Sequence, residues 1–373
     1  MVTDCSVVLV SFGRPQLVAR QIAFLSNRGL DIIIVDGSTQ AMKLGDITGT
    51  GSETLRYFHV PGEHNYVERL IIGLAEVRTS FFCLMDDSDI LIPETLFSII
   101  EWLRRNPGYC AAGQVYRAIS ESEVVRLTRW GHWSEELVLD DTSYVRNFES
   151  VLKKVRTANL FYVVTPSSVR ESIVKDLIHL NELDPKTTYE TIEILMAGLY
   201  LSRLRFRKFN LPFWIRCDAK EENVVEEKQN KSTVPPFDRY SNMVALLVEL
   251  FKRVAPFSAE SEKIVLKAVE GYQKKMEQLL EADVTNVSRQ SKINLNFKPS
   301  VRKLLILFAE KHAPYLLLER RKKFALSIED EGFEINETLG MCEPEMRSKT
   351  RGDIYMALCL WFLNIGSLIA LKD

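Results

Sequence analysis

The chain has 373 residues, of which 46% are hydrophobic, 26% charged and 10% aromatic. This length allows two or three domains, and the composition is that of an ordinary globular protein, which excludes collagenous, low-complexity and fully disordered chains. Lysine and arginine number 48 against 50 aspartates and glutamates, a net charge of -2, so we expect no nucleic-acid partner.

The first 120 residues alternate short apolar runs with longer amphipathic patterns, which is typical of βα units that build a largely parallel sheet. Pro15, Asn65 and Pro93 each stand where a helix is expected to begin, because proline suits a first helical turn and asparagine is a good N-cap. The pattern predicts strands at 6–10, 31–35, 56–60 and 81–85, and helices at 15–27, from 65 onward and at 93–106.

The middle of the chain has a more mixed pattern. Residues 114–149 are polar and irregular, and we interpret them as an excursion outside the sheet. The apolar run at 160–165 predicts a further strand, and residues 205–211 a strand that closes the sheet. Helices are expected at 168–180 and 190–201.

A change of character at residues 218–236 indicates a domain boundary, because this stretch is charged, polar and ends in two prolines. We predict an α/β domain over 1–217, a linker over 218–236 and a mainly α-helical C-terminal domain over 237–373. The apolar segment 354–371 has the length of a short membrane-spanning helix. We expect a buried terminal helix there, with peripheral membrane contact as the alternative.

Cysteine usage and the first residues bear on the compartment. The six cysteines are scattered, with no CxxC pair, and several lie in apolar runs, which is typical of a reducing compartment. The first residues show no secretory signal pattern. We therefore expect a cytoplasmic protein, either free or on the cytosolic face of a membrane.

Polar residues follow three of the predicted strands directly. Ligands of an open parallel sheet bind beyond the carboxyl ends of its strands, so these residues are the first candidates for a functional site. They are Ser11–Pro15 (SFGRP), Asp36–Thr39 (DGST) and Asp86–Asp89 (DDSD).

Asp86, Asp87 and Asp89 place three carboxylates within four residues. Such groups repel one another, so they are expected where a divalent cation or another positive group compensates them. Oxygen ligands of this kind suit Mg²⁺ or Mn²⁺. The alternative is an aspartate-rich turn before the helix at Pro93, which aspartate favours for purely local reasons.

The SFGRP turn, the strand ending in VDGST and the apolar strand ending in DDSDILIP together resemble the family-two glycosyltransferases of the GT-A fold. The resemblance covers residues 5–115 and extends more loosely to 216. It implies that Asp36 binds the nucleotide base and that Asp87 and Asp89 bind Mn²⁺ or Mg²⁺, with Asp86 and Asp89 as the other reading of the metal motif. The remaining donor-site residues that it implies are Ser11, Phe12, Arg14, Ser38, Asp86, Asp87 and Arg216.

The activity implied by this resemblance is transfer of a sugar from a nucleoside-diphosphate sugar to an acceptor hydroxyl, with inversion at the anomeric carbon. The acceptors it implies are saccharides or lipid-linked saccharides, as in surface polysaccharide or glycolipid synthesis. An inverting transfer needs a carboxylate base, which in the family belongs to an acidic motif at a helix start. Glu190 and Glu193 match the two glutamates of that motif, while Thr191 stands at the position of its aspartate base. The candidates for the base are therefore Glu190, Glu193 and, elsewhere, Asp184.

Other classes of protein stay open on the sequence. A sugar nucleotidyltransferase shares the nucleotide-binding sheet, but it usually has a Gly-rich basic loop after its first strand, which SFGRPQ lacks. A degenerate GT-A domain kept as a binding module is favoured by Ser88 and Thr191, which occupy positions that are usually acidic. A dinucleotide oxidoreductase is disfavoured, because no GxGxxG follows a predicted strand.

Overall fold

A computed structural model describes residues 4–26, 28–42, 54–61, 64–121, 124–129, 137–141, 143–154, 158–187, 189–218, 236–254 and 257–287. The N-terminal elements are β1 (Cys5–Ser11), α1 (Pro15–Leu25), β2 (Asp31–Asp36), β3 (Leu55–His59), α2 (Tyr66–Ala75), β4 (Phe81–Asp86), β5 (Ile90–Leu91) and α3 (Pro93–Arg105). They are followed by β6 (Tyr109–Glu121), β7 (Val124–Arg129), β8 (Leu137–Leu139), α4 (Tyr144–Lys154), α5 (Ala158–Phe161), β9 (Thr165–Pro166) and α6 (Arg170–Leu183). The last are α7 (Tyr189–Leu201), β10 (Arg205–Asp218), α8 (Pro236–Val254) and α9 (Ala259–Val287).

The first sheet has the strand order β3-β2-β1-β4-β9, in which β1 to β4 are parallel and β9 is antiparallel. The valine, isoleucine and leucine side chains of β1, β2 and β4 are buried, as expected for parallel strands covered on both faces. The chain leaves β1 toward β2 on one side and returns through α2 to β4 on the other side. The sheet therefore has a topological switch point between β1 and β4.

The predicted helix starts are confirmed. Asn65 caps α2 through a reciprocal pair of hydrogen bonds: its side chain accepts from the Glu68 backbone N–H at 2.9 Å, and the Glu68 carboxylate accepts from the Asn65 N–H at 3.0 Å. Pro15 and Pro93 lie in the first turns of α1 and α3. Local sequence signals thus place the helices that flank the first sheet.

The second sheet corrects the interpretation of residues 114–149 as an excursion. Its strand order is β5-β10-β6-β7, with β8 also paired to β10. The expected closing strand at 205–211 extends to Asp218 and runs parallel to β6 in this second sheet. Strand β6 is rich in alanine, glycine and polar residues, so it lacks the apolar pattern of a central strand, and its partner β10 lies far away in sequence.

The strand predicted at 160–165 is also wrong. Leu160 and Phe161 end the short helix α5, and β9 begins only at Thr165. Val164 forms an isolated antiparallel bridge with Ala111. Every residue of this run is buried, and a short apolar run that is buried all round has no periodicity to distinguish helix from strand.

The described part of the C-terminal region is helical. Helix α8 packs on α7 and α6, and α9 packs on α4 and α8. Leu247, Phe251 and Val265 of these helices belong to the same hydrophobic core as the sheets. Residues 219–235 of the predicted linker and the apolar segment 354–371 lie outside the described residues. Among the helices that are described, none is long and apolar enough to cross a membrane.

Candidate functional site

The acidic turn, which we define as Asp86–Asp89, follows β4 at the switch point of the first sheet. In the strand register, Val10 of β1 lies opposite Asp86, and Ser11 lies opposite Asp36 of β2. The polar residues that follow β1, β2 and β4 therefore meet at one edge, where an open parallel sheet binds its ligands.

Asp87 is turned toward β1 and α1. Its carboxylate accepts hydrogen bonds from the Ser11 hydroxyl at 2.7 Å and from the Arg14 guanidinium at 3.0 Å, and its side chain is 2% exposed. Burial raises the pKa of Asp87 well above its ordinary value, the neighbouring Asp86 carboxylate raises it further, and Arg14 opposes both effects. The ion pair with Arg14 thus offsets only part of the cost of this charge.

Asp89 is turned the opposite way, toward the second sheet. It accepts a hydrogen bond from the Trp214 indole N–H at 2.8 Å, and the Tyr162 ring stacks on that indole with 4.2 Å between ring centroids. Burial raises the pKa of Asp89 to about 6, and the negative charge of Asp86 acts in the same direction. The positive charge of Arg216 and the hydrogen bonds from Trp214 and Tyr162 lower the pKa of Asp89 and so oppose this rise. Arg216, predicted to contact the donor, therefore lies close to the acidic turn.

Glu193 of α7 and Asp86 of the acidic turn both act on the ring of Tyr66. Burial raises the pKa of Tyr66 well above its ordinary value, and the negative charges of Asp86 and Glu193 raise it further. Coulombic interactions weaken with distance, so Asp86 and Glu193 both lie near the Tyr66 ring. The side chain of Glu193 is buried. A carboxylate of the predicted acidic motif and a carboxylate of the acidic turn therefore both act on one ring, that of Tyr66.

The other predicted base candidates have different positions. Glu190 lies in the first turn of α7, and its side chain is outside the described residues. Thr191 is buried in the same turn. Asp184 follows α6, where its carboxylate accepts a hydrogen bond from the Lys186 backbone N–H at 3.1 Å.

Asp36 is buried at the end of β2. Its carboxylate accepts hydrogen bonds from the Ser38 backbone N–H at 2.9 Å, from the Ser38 hydroxyl and from the Tyr57 hydroxyl at 2.7 Å. The Ser38 hydroxyl oxygen in turn accepts from the Gly13 backbone N–H at 2.8 Å. These contacts fix the loops after β1 and β2 to each other and hold Asp36 in one orientation.

An aromatic ring and a buried cation lie between these loops. The Phe12 ring is 36% exposed, and the Arg69 guanidinium lies 5.2 Å from its centroid. A Cβ at Gly37 would collide with the Arg69 guanidinium, so that group packs directly on the backbone after β2. The site thus presents an open ring that is backed by positive charge.

The acidic turn offers carboxylates to a divalent metal ion. Within the described ranges, no group of three or more His, Cys, Asp or Glu side chains is arranged to hold one. Asp87 and Asp89 point to opposite partners, so their assignment as a metal-binding pair stays a prediction. Asp86 and Asp87 are neighbours in the turn, and the Asp86 carboxylate raises the pKa of Asp87. One or two carboxylates are the usual protein contribution to a Mg²⁺ site, so this pair fits such an ion.

Several residues of the site were not predicted from the sequence. Arg20 and Gln21 on α1, Trp214 on β10 and Tyr162 lie around the acidic turn, and Arg69 on α2 packs on Phe12. The available signal was a polar residue on the apolar face of a predicted helix. Gln21, for example, stands four residues after Leu17 and four before Leu25, which are both buried.

Comparison with known proteins gives a family. Residues 6–178 match the family described as Glycosyl transferase family 2. No curated protein matches the chain. The crystal structure of S. aureus TarS 1-349 in complex with UDP is 10% identical, with a TM-score of 0.50, and the match covers 99% of this chain and 92% of that chain. The crystal structure of S. aureus TarS 1-349 in complex with UDP-GlcNAc is 10% identical, with a TM-score of 0.49 and the same coverage of 99% and 92%.

The fold and this match define the class of protein as a glycosyltransferase with a GT-A fold. More particularly, residues 6–178, a little under half of the chain, match glycosyl transferase family 2. The resemblance read from the SFGRP, VDGST and DDSD motifs is thereby confirmed. At such low identity the TarS structures show the fold alone.

Proposed function

We propose that the protein transfers a sugar from a UDP-sugar to an acceptor hydroxyl, with inversion, and that Mn²⁺ or Mg²⁺ binds at the acidic turn. The observation that carries the proposal is the joining of three strand ends into one polar surface. Asp87 bonds to Ser11 and Arg14 after β1, and the loop after β1 bonds to Ser38 after β2. A nucleotide lying along this edge reaches the acidic turn with its phosphates.

The donor is bound in this proposal through its base and its diphosphate. Asp36 accepts a hydrogen bond from the base, since each carboxylate oxygen can accept more than one donor. Phe12 offers an open ring on which the base stacks. Arg14 and Arg216 lie beside the acidic turn and neutralise phosphate oxygens. UDP is the first nucleotide to test, because a protein of the same fold crystallised with it.

The metal ion is assigned in this proposal to the acidic turn, with Asp86 and Asp87 as the nearest carboxylate pair. A bound divalent ion would act as a Lewis acid toward the diphosphate leaving group. Arg14 keeps Asp87 in place through its ion pair, and Ser11 fixes the other carboxylate oxygen. These contacts hold the turn ready for the donor.

Glu193 is the general base that we propose. Among the described side chains of α7, it is the carboxylate whose charge acts on the ring of Tyr66, as the charge of Asp86 also does. In an inverting transfer the base takes the proton of the acceptor hydroxyl as that oxygen attacks the anomeric carbon. Glu190, three residues earlier on the same helix, is the comparison residue. The acceptor is a saccharide or a lipid-linked saccharide.

The donor assignment is tested by thermal unfolding with UDP, GDP, CDP and dTDP, each with Mn²⁺ or with EDTA. A nucleotide at about 100 times its dissociation constant adds about 2.7 kcal/mol of stability. We expect a shift with UDP that depends on Mn²⁺ and is lost in Asp36→Asn. Asp4→Asn is the matched control, because Asp4 bonds to Ser80 at the opposite end of the sheet. If none of the four nucleotides changed the unfolding temperature, the proposal would be contradicted.

The base assignment is tested by steady-state transfer kinetics of Glu193→Gln and Glu190→Gln. We expect Glu193→Gln to lower kcat by about 10² to 10⁴, the usual worth of a general base, while the UDP-dependent shift in unfolding temperature is unchanged. Glu190→Gln should retain most of the wild-type kcat. The opposite pattern would move the base to Glu190.

A further inference from the structure

Two side chains of α1 hold the backbone of the acidic turn from behind. The Arg20 guanidinium donates through Nη2 to the Asp87 carbonyl at 3.0 Å and to the Ser88 carbonyl at 2.7 Å. The Gln21 amide donates to the Asp87 carbonyl at 2.9 Å and to the Asp89 carbonyl. Three consecutive carbonyls therefore face α1.

Arg20 is a buried cation, with 5% of its surface exposed. Its hydrogen bonds go to uncharged carbonyl oxygens. Within the described part of the chain, its Nε and Nη1 atoms have no hydrogen-bond partner. A guanidinium in this position is costly unless nearby negative charge compensates it.

The acidic turn provides that negative charge. Asp86, Asp87 and Asp89 belong to the same turn whose carbonyls Arg20 contacts. Asp87 and Asp89 are themselves buried and carry like charges. Arg14 and Arg216 act on these two carboxylates from their side-chain ends, and Arg20 adds a third positive charge on the carbonyl side of the turn. The positive charge of Arg20 and the negative charges of the turn therefore offset each other. Gln21 also donates hydrogen bonds to carbonyls of the turn, but it carries no charge.

We propose that Arg20 is a fixed counter-charge of the acidic turn, which holds its carboxylates together when no divalent ion is bound. Arg20 is in this sense a positioning residue, since it reaches the donor site only through the turn. The inference rests on the proposed function for the metal ion. Its consequence is that Arg20 and a bound divalent ion repel each other, so Arg20 weakens metal binding while it stabilises the metal-free turn.

The test compares Arg20→Met with Gln21→Met, which also removes two hydrogen bonds to carbonyls of the acidic turn but changes no charge. Mn²⁺ affinity is measured on the full chain by electron paramagnetic resonance titration, with and without UDP. Unfolding temperature is measured in EDTA and in Mn²⁺. We expect Arg20→Met to bind Mn²⁺ on the order of tenfold more tightly than wild type, because a like charge is removed at short range. Gln21→Met should bind it no more tightly.

In EDTA, both variants should unfold at a lower temperature than wild type, and Mn²⁺ should restore more of that loss in Arg20→Met than in Gln21→Met. Arg20→Lys, which keeps the charge, should match the Mn²⁺ affinity of wild type. If Arg20→Met bound Mn²⁺ as tightly as wild type or more weakly, the proposal that Arg20 is a counter-charge would be overturned. Failure of Arg20→Met to fold even in millimolar Mn²⁺ would also overturn it, by assigning Arg20 a purely structural role. No Mn²⁺ binding by wild type would remove the metal from the proposed function and this inference with it.

Discussion

The two ends of the acidic turn lie in contrasting surroundings. On the charged side, Asp87 is paired with Arg14 and bonded to Ser11 of the first sheet. On the aromatic side, Asp89 is bonded to Trp214 of the second sheet, on which Tyr162 stacks. Both carboxylates are buried and each has an arginine nearby, but Asp87 forms its ion pair with Arg14 directly, whereas Asp89 also accepts a hydrogen bond from the uncharged Trp214 indole.

This contrast shows that the acidic turn joins the two sheets. The charged side belongs to the strand ends that we propose as the donor site. The aromatic side fixes the turn to β10, whose far end carries Arg216 close to Asp89. Changes on the charged side should therefore affect activity first, and changes on the aromatic side should affect stability as well.

The largest expected effect is on the charged side. Asp87→Asn removes the charge that pairs with Arg14 but keeps the shape of the side chain, so the fold should persist. We expect transfer to fall on the order of 10³-fold, as when a group that stabilises transition-state charge is removed. Transfer kinetics and circular dichroism measure the two outcomes. Activity within twofold of wild type would remove Asp87 from the site.

The pH dependence of stability tests the cost of burying Asp89. Its pKa is raised to about 6 in the folded protein, above the ordinary value of 3.8, so the folded state binds the proton more tightly than the unfolded state. This stabilising contribution is fully present below pH 3.8 and is lost as the pH rises through about 6. Metal-free protein should lose about 3 kcal/mol from this group by pH 7.5.

Urea unfolding in EDTA between about pH 3.5 and pH 8 measures that loss, most of which falls between pH 3.8 and about 6. Asp89→Asn should show a flatter profile than wild type, while it retains the contribution of Asp87, whose pKa is raised in the same direction. Identical profiles for the two proteins would mean that Asp89 titrates normally.

On the aromatic side, Trp214→Phe keeps a ring for Tyr162 to stack on but deletes the indole N–H that bonds to Asp89. Loss of a hydrogen bond to a buried carboxylate should lower the free energy of unfolding by up to about 3 kcal/mol at neutral pH. The loss should shrink at pH 5, where Asp89 is protonated. Urea unfolding at both pH values checks this, and a loss independent of pH would assign it to packing alone.

The sequence was sufficient to predict the parallel strands of the first sheet and the helices beside them, because local pattern determines these elements. Strands β1, β2 and β4 are continuous buried runs, and α1, α2 and α3 begin at residues with known start preferences. Strand β6 could not be found in this way, because its pairing partner β10 begins beyond several intervening helices. Its register depends on tertiary contacts that no local window contains.

The same division applies to the candidate site. Ser11, Asp36 and the acidic turn follow apolar strands, so the topology of the first sheet was enough to bring them together. Arg20 and Trp214 contact the turn from a helix face and from the second sheet. Their roles depend on packing between elements, and spacing along the chain carries no information about it.

The smallest expected effect on stability concerns the shape of β10, which orients the Trp214 side chain toward the acidic turn. Strand β10 has register shifts between Lys208 and Trp214, and such bulges redirect side chains. Gly113 of β6 allows this shape, because an added Cβ there would collide with the Phe213 Cβ and lie 2.5 Å from the Leu211 carbonyl oxygen. Gly113→Ala should cost about 2 kcal/mol through overpacking.

Gly271→Ala is the matched control for that substitution. Gly271 lies exposed on α9, with nothing within 4 Å of an added Cβ, so alanine should stabilise the helix by about 0.5 to 1 kcal/mol. Urea unfolding of both variants measures the difference. If both variants were more stable than wild type, β10 would have to relax around the extra methyl group at position 113. The orientation of Trp214 would then not depend on Gly113.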